Sequence, residues 1–277
     1  MVLGIGALTA MDALAKTLVQ QGVNPMQILG LRIFLIAPAI FAYYWYNDQL
    51  SDLVPVRLKF QILRACIGFG APFCFFFSLK YLPLSDATIS SYSSIMLITV
   101  LSHFVLREKV GVHRWGAVVV GFFGVYIATS PSGDGEILGY ALVFIAALAY
   151  AVLMITGRIL SRTDSVGSMV ITYNLCVGLI GLCFAPFVWH ELTVSMWITI
   201  MGIGALALTG HLCVTVAFTR SQTSVIAPFE YTSLIWAIVI EFALWHYLPE
   251  QRTVLGALLI ICAGLYVLYR ENLQKRN

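Results

Sequence analysis

The chain has few charged residues. Of its 277 residues only 10% are Asp, Glu, Lys or Arg, 16 basic against 13 acidic, whereas a soluble domain carries about 25%. This scarcity excludes an ordinary water-soluble globule. A net charge of +3 on so apolar a chain also gives no sign of the clustered Lys and Arg that nucleic-acid binding requires, so nucleic acid is not expected as a partner.

Motifs of enzymes and ATPases are missing as well. The chain contains no G-x-S-x-G, H-E-x-x-H or G-x-x-x-x-G-K-[S/T] segment, and His190-Glu191 lacks the second histidine of a zinc protease. The six cysteines form no C-x-x-C pair, and His103 and His211 have no ligand at a suitable spacing. We therefore predict a protein that is not an enzyme and that uses neither a cofactor nor a metal ion.

Long apolar runs fill most of the sequence. A bilayer core needs roughly 20 apolar residues per helical span, and continuous runs such as 141–149 favour helices over barrel strands, in which apolar residues alternate. Breaks at charged residues, Pro, Asn and Gly predict ten spans, 1–20, 26–46, 60–80, 85–106, 112–129, 137–158, 166–188, 195–218, 222–246 and 252–269. The predicted fold is all-α, a polytopic membrane protein in the lipid bilayer.

The basic residues fall mainly on one side of this predicted membrane. Twelve of the 16 lie at the N-terminus, in the even-numbered connections or at the C-terminus, while the opposite side has only Lys80 and Arg252. By the positive-inside rule, both termini are predicted to be cytoplasmic.

The sequence also matches itself at an offset of 140 residues. The aligned pairs are Lys80/Arg220, Ala87/Ala227, Ser93/Ser233, Ile95/Ile235, Gly116/Gly256 and Gly124/Gly264. Because this period holds five spans, an odd number, the two halves cross the membrane in opposite senses. Two inverted five-helix repeats are typical of secondary transporters, whose substrate site lies near the midplane. The alternative is that ten apolar helices look repetitive by chance.

Short motifs recur in both halves. They are 83–88 (Pro-Leu-Ser-Asp-Ala-Thr), 106–110, 115–116 and 121–125 in the first half, and 227–231, 248–250 and 255–257 in the second. These segments, with Lys16 and Arg32, resemble the drug/metabolite transporter superfamily, EamA type. The resemblance implies a ten-helix carrier with EamA-like halves at 1–130 and 137–270 and a central cavity lined mainly by helices 1, 3, 4, 6, 8 and 9.

The subgroup is indicated by the segment 227–231, Ala-Pro-Phe-Glu-Tyr, which is more similar to bacterial S-adenosylmethionine carriers than to aromatic-amino-acid exporters. His246-Tyr247 departs from the Gly-Glu that the family often has there, which weakens any role for a carboxylate at that position. The resemblance implies a bacterial inner membrane, a small-molecule substrate and a monomer or weak homodimer.

Charged residues inside spans cost at least about 2.5 to 3.5 kcal/mol each, so each needs a partner, a cavity or a function. Asp12 and Lys16 share one helix face. They either neutralise each other or contact the ends of a zwitterionic substrate. Arg32 is either a second partner for Asp12 or a neighbour of an anionic lipid headgroup, and a structural role is favoured.

Two acidic residues lie in the ninth span. Glu230 follows Pro228, which removes a backbone hydrogen bond and predicts a kink. This carboxylate is either a proton or cation site or the hydrogen-bond partner of a tyrosine or of Arg220. Glu241 lies nearer the outer interface, where we expect it to snorkel.

Tyrosines complete the predicted site. Tyr92, Tyr150 and Tyr231 lie on helices that the resemblance places at the cavity, where their rings could stack on an aromatic or sulfonium substrate; the alternative is core or lipid packing. The predicted substrate site comprises Asp12, Lys16, Tyr92, Tyr150, Glu230 and Tyr231.

The sequence as a whole predicts a secondary transporter. Its expected substrate is a small organic metabolite, an amino acid or a derivative such as S-adenosylmethionine, or an aromatic compound, moved by alternating access. The alternative is a broad-specificity exporter of drugs or other metabolites. A channel is less favoured because no selectivity-filter loop is visible, and so is an intramembrane enzyme.

Overall fold

The computed structural model of the chain describes residues 1–108, 110–129, 134–220 and 227–276. These residues fold into helices without strands. The helices are α1 Val2–Gln20, α2 Pro25–Leu31, α3 Ile33–Tyr46, α4 Leu58–Ser78, α5 Leu84–Ser91, α6 Ser93–Val105, α7 Val112–Ala128, α8 Asp134–Leu160, α9 Val166–Phe184, α10 Val194–Arg220, α11 Thr232–Trp245 and α12 Gln251–Arg276.

The apolar runs explain why these helices form a membrane bundle. Within the described ranges, eight helical stretches are long and apolar enough to cross a bilayer. The helix α7 is a shorter apolar helix of 17 residues, and α11 continues a 3-10 turn over Ala227–Tyr231. The prediction of an all-α polytopic membrane protein is confirmed. The first five residues of the predicted ninth span, 222–226, lie outside the described residues.

The packing of the helices follows the symmetry of an inverted repeat. In an inverted repeat of five spans, span one corresponds to span six and span three to span eight. The contact of α1 with α10 then corresponds to the contact of α8 with α4, and both contacts are extensive. The contact of α6 with α8 likewise has its image between α11 and α1. These paired contacts are the ones that two inverted halves would make, and the inverted repeat stays a prediction.

Several spans are interrupted partway across the bundle. The second span breaks at Arg32, between α2 and α3, and the fourth breaks at Tyr92, between α5 and α6. The ninth changes from a 3-10 turn to an α-helix at Thr232, which is 140 residues after Tyr92. Discontinuous helices at matching positions of two repeats are typical of the substrate sites of transporters.

The fifth and tenth spans touch through glycines. A Cβ on Gly124 of α7 would lie 2.9 Å from the carbonyl oxygen of Gly256 in α12, closer than real Cβ contacts. A Cβ on Gly116, two turns earlier, would meet nothing within 4 Å. Small residues let helix backbones approach this closely, so α7 and α12 form a tight pair.

Candidate functional site

Polar side chains gather at two levels of the bundle. We call the end at which α1 finishes, near Gln20, the distal end, and the end at which α1 starts the proximal end. One group, the distal cluster, consists of Lys16, Leu84, Ser85 and Glu241. The other, the central cluster, consists of Asp12, Arg32, Tyr150, Tyr173 and Glu230.

The distal cluster is built around Glu241, whose side chain is 0% exposed. Its Oε1 accepts hydrogen bonds from Lys16 Nζ at 2.5 Å and from the Leu84 amide at 2.6 Å. Its Oε2 accepts from the Ser85 amide at 2.8 Å and from Ser85 Oγ at 2.5 Å. The two amides belong to the first turn of α5, where unpaired N–H groups favour an anion. Glu241 thereby joins α1, α5 and α11.

Two expectations from the sequence are wrong here. Glu241 does not snorkel, because donors from two other spans surround it inside the protein. Lys16 does not pair with Asp12, although both lie on one helix face, because Glu241 offers a carboxylate 2.5 Å away. Lys16 is 4% exposed, and its ammonium also lies 4.5 Å from the centre of the Trp245 ring.

Further hydrogen bonds tie the distal end together. Trp245 Nε1 donates to Gln20 Oε1 at 2.9 Å, which joins α11 to α1. The fully buried Gln27 donates from Nε2 to the carbonyl of His190 and accepts from the His190 amide at 3.0 Å. These bonds link helix ends of residues 1–130 to helix ends of residues 137–270 at the distal end.

The central cluster begins with Asp12, one turn before Lys16 on α1. Asp12 is half-buried and interacts electrostatically with Arg32. It makes no hydrogen bond or ion pair within the part of the chain that the structure describes. Arg32 is 7% exposed at the break between α2 and α3, so the interpretation that it lies near a lipid headgroup is wrong.

Glu230 is the member of the central cluster that comes from the ninth span. Its exposed side chain lines a cavity of about 270 Å³ between α6, α7 and α12, together with Tyr231 and Thr99. Glu230 interacts electrostatically with Tyr150 and Tyr231. Its other predicted partner, Arg220, has a side chain outside the described residues.

The three predicted tyrosines all lie near Glu230. Tyr92 and Tyr231 meet edge to face with ring centres 5.4 Å apart, and Tyr92 Oη shares a hydrogen bond of 2.6 Å with Ser233 Oγ. The hydroxyl of Tyr231 lies directly over Gly264 of α12, where any Cβ would overlap it. Tyr92 and Tyr231 therefore come from the two matching breaks of the fourth and ninth spans.

Tyr150 connects the two sides of the cluster. It is 43% exposed, yet it interacts electrostatically with Glu230 and with Tyr173 of α9. Its exposed surface therefore faces space between the spans. Tyr173 in turn interacts with Arg32, which also interacts with Asp12 and with His211 of α10. The central cluster is thus a continuous series from α1 to the ninth span.

Some of the polar residues at the site were not predicted. Ser85 and Asp86 belong to the segment 83–88, which we used only for its resemblance. The signal available in the sequence was the presence of two polar residues in the first turn of an apolar span. Tyr173 completes the central series, but nothing in the sequence around it distinguishes it from the other mid-span tyrosines.

The chain is similar to known transporter proteins. The EamA-like transporter family matches residues 1–130 and 137–270. A protein of Rickettsia felis called "S-adenosylmethionine uptake transporter" is 24% identical over 95% of this chain and 89% of its own. A "Riboflavin transporter" of Vibrio cholerae is 26% identical over 80% and 75%. A solved crystal structure superposes with a TM-score of 0.66 at 15% identity, covering 95% of this chain and 94% of its own, which shows the fold.

Proposed function

The chain belongs to the EamA-like transporter family, and we propose that it carries an amino-acid-derived organic cation, S-adenosylmethionine or a close analogue, by alternating access. The observation that carries this proposal is the presence of two carboxylates within the spans, the half-buried Asp12 and Glu230, which lines a cavity together with Tyr231. Among the residues that the structure describes, neither carboxylate has a bonded cation such as Lys16 is for Glu241.

The charges of the central cluster suit such a substrate. S-adenosylmethionine has an ammonium, a carboxylate and a sulfonium. Asp12 and Arg32 are opposite charges on neighbouring spans, and they complement the amino-acid end. Glu230, with Tyr231 and Tyr150 beside it, complements the sulfonium, because tyrosine faces attract cations.

In the proposed transport cycle, the distal cluster closes one end of the helix bundle. Alternating access requires that one end be sealed while the site is open at the other. Lys16 and Glu241 seal the distal end by joining α1 to α11, so Lys16 acts on the substrate site from one turn away. Opening this end requires that this buried pair separate.

The arrangement in the cell follows from the charge asymmetry of the loops. The proximal end, which carries both termini and most basic residues, is the cytoplasmic side of a bacterial inner membrane. Residues 1–130 and 137–270 are the two structural halves, and the working unit is a monomer or weak homodimer. This conformation is then closed to the outside.

The names of the relatives support the substrate class. Proteins of Rickettsia felis and Rickettsia conorii that span nearly the whole chain are called S-adenosylmethionine uptake transporters. The riboflavin transporter of Vibrio cholerae favours a second candidate, a planar aromatic compound held by Tyr92 and Tyr231. A broad-specificity exporter is the remaining alternative.

The test is uptake of radiolabelled S-adenosylmethionine into proteoliposomes that contain the purified protein. Unlabelled S-adenosylhomocysteine, which lacks the methyl group and the sulfonium charge, serves as a matched competitor beside riboflavin. We expect competition by S-adenosylmethionine at a concentration at least about tenfold lower than by S-adenosylhomocysteine, since a charged contact contributes about 1.5 to 3 kcal/mol.

Other outcomes assign the function differently. Uptake of labelled riboflavin without uptake of S-adenosylmethionine would establish the aromatic candidate. Equal competition by all three compounds would favour a broad-specificity carrier. Uptake that is unchanged in Asp12→Ala, Lys16→Ala and Glu230→Gln variants would overturn the assignment of the site.

A further inference from the structure

Three buried polar side chains lie along one face of the fourth span without satisfied hydrogen bonds. Asp86, Ser90 and Ser93 are 7%, 4% and 1% exposed and follow a spacing of four and three residues, which places them on one helix face. Asp86 Oδ1 and both serine hydroxyls have no hydrogen-bond partner among the described residues. A buried polar group without a partner costs about 1 to 3 kcal/mol, and a charged one costs more. This line of oxygens indicates a ligand that can form hydrogen bonds.

The other oxygen of Asp86 has only neutral donors. Its Oδ2 accepts a long hydrogen bond of 3.5 Å from Tyr247 Oη, and the side chain of Thr253 donates to the carboxyl group. The titratable and charged groups around it are Glu241 of α11, Glu250 and Tyr247 before α12, Tyr140 and Glu136 of α8, and Lys16 of α1. The charged residues of α7, His113 and Arg114, lie at the proximal end.

The charges near Asp86 do not balance if it is ionised. Lys16 is the cation of the distal cluster, and its ammonium is already bonded to Glu241. Ser85, the neighbour of Asp86, is bonded to the same carboxylate. An ionised Asp86 would therefore add a second negative charge beside Glu241, inside the membrane, where an unpaired charge is costly. A nearby carboxylate charge such as that of Glu241 favours the protonated, neutral form of Asp86.

We propose that Asp86 is a proton-binding site, protonated while Lys16 is bonded to Glu241, and that Ser90 and Ser93 extend this site toward the centre of the bundle. The proton enters from water at the distal side while the bond between Lys16 and Glu241 is open, bonds to Oδ1 and is retained there once that bond forms. The Ser90 hydroxyl, one turn along the same face, is the nearest candidate acceptor for it. Ser93 lies about 10 Å further along the helix than Asp86, next to Tyr92.

This site differs from Glu230, the carboxylate that the sequence favours for a proton or cation. Glu230 is exposed to the interior cavity, where a substrate cation can balance its charge. Asp86 is sealed between helices and adjoins the cluster that closes the distal end. Coupling of this proton to transport rests on the proposed function, but the presence of the proton does not.

The presence of the proton is tested by infrared spectroscopy of the purified protein in detergent at pH 7. A protonated carboxyl group gives a C=O stretch that is absent from an ionised carboxylate. We expect Asp86→Asn to remove one such band, and Glu191→Gln, the control at an exposed position outside the cluster, to retain it. An Asp86→Asn spectrum with the wild-type band intact would overturn the proposal, as would the absence of any such band from the wild type.

A milder variant covers the case in which Asp86→Asn does not fold. Tyr247→Phe removes the hydroxyl that faces Oδ2 but leaves the carboxyl group in place. We expect it to shift the frequency of the carboxyl band, and an unshifted band would count against the proposal.

Coupling of this proton to transport is tested in proteoliposomes that take up S-adenosylmethionine. A pH-sensitive dye inside should report proton movement in the wild type and none in Asp86→Asn, while exchange of labelled for unlabelled compound persists. Wild-type proton movement in Asp86→Asn would overturn the coupling.

Discussion

The carboxylates of the two clusters differ in their hydrogen bonding and accessibility. Glu241 accepts four hydrogen bonds and is inaccessible, whereas the carboxylates of Asp12 and Glu230 accept none from the described residues and interact electrostatically with Arg32 and Tyr150, respectively. The two levels are about 6 Å apart along α1, the rise of four residues. The comparison teaches that saturation of hydrogen bonds distinguishes a carboxylate that holds helices together from one that is available to a substrate.

The largest expected effect is on the saturated carboxylate. Glu241→Ala leaves the Lys16 ammonium and two α5 amides buried without an acceptor, and breaking one side of a buried ion pair costs about 3 to 5 kcal/mol. We expect a lower midpoint of thermal unfolding in detergent. Glu230→Ala, the matched control, should unfold near the wild-type temperature. Equal losses in the two variants would contradict the distinction between the clusters.

The next effect is on transport. Asp12→Asn and Glu230→Gln keep the shape of each side chain but remove its charge, so we expect the half-saturation concentration for uptake to rise roughly 10- to 150-fold, the equivalent of one charged hydrogen bond. Thermal unfolding should change little. Glu191→Gln, at an exposed position outside the site, is the control and should transport normally. Loss of stability without loss of affinity would reverse the assigned roles.

A third effect concerns the position of Tyr231. Gly264→Ala places a Cβ where the Tyr231 hydroxyl lies, and overpacking of this kind costs about 1 to 3 kcal/mol. We expect weaker substrate uptake and a lower unfolding midpoint. Gly116→Ala, on the partner helix α7, adds the same group in open space and should leave both unchanged. If the two alanine variants behave alike, Tyr231 does not depend on Gly264.

The smallest effect is expected at Asp164, a saturated carboxylate in the proximal loop between α8 and α9. Burial alone would raise the pKa of Asp164, but hydrogen bonds from the Arg57 amide, Thr163 Oγ1, Gln61 Nε2 and the Val56 amide outweigh it and hold the pKa below its usual range. The bonds measure 3.1, 2.8, 2.6 and 2.9 Å. Because the folded pKa is lowered, this stabilisation is present above the usual aspartate pKa and is lost as the pH falls through the folded value.

Asp164→Ala should therefore lower the free energy of unfolding at pH 7 by about 1 to 2 kcal/mol. The difference from the wild type should shrink as the pH falls below the usual aspartate range, measured by denaturation in detergent. Glu191→Ala provides the exposed control. A difference that is independent of pH would show that the side chain acts by packing and not through its charge.

The sequence predicted the spans well because burial in lipid imposes apolar runs that need no knowledge of neighbours. The prediction that Glu241 snorkels to the interface was wrong because its donors lie far away in the sequence, 225 residues for Lys16 and 156 for Ser85. Helical periodicity carries no information about such contacts. The pairing of Asp12 with Lys16 was suggested by local spacing, but a closer tertiary partner prevailed. The choice of Tyr92, Tyr150 and Tyr231 stays a prediction, although the structure places all three around Glu230.

The position of Asp12 and Lys16 on one helix has a mechanical consequence. An α-helix is stiff over a single turn, so α1 cannot rotate about its axis or slide at one of these residues without displacing the other. A ligand that moved Asp12 would therefore also move the Lys16 ammonium relative to Glu241. One rigid turn of α1 thus joins the two clusters.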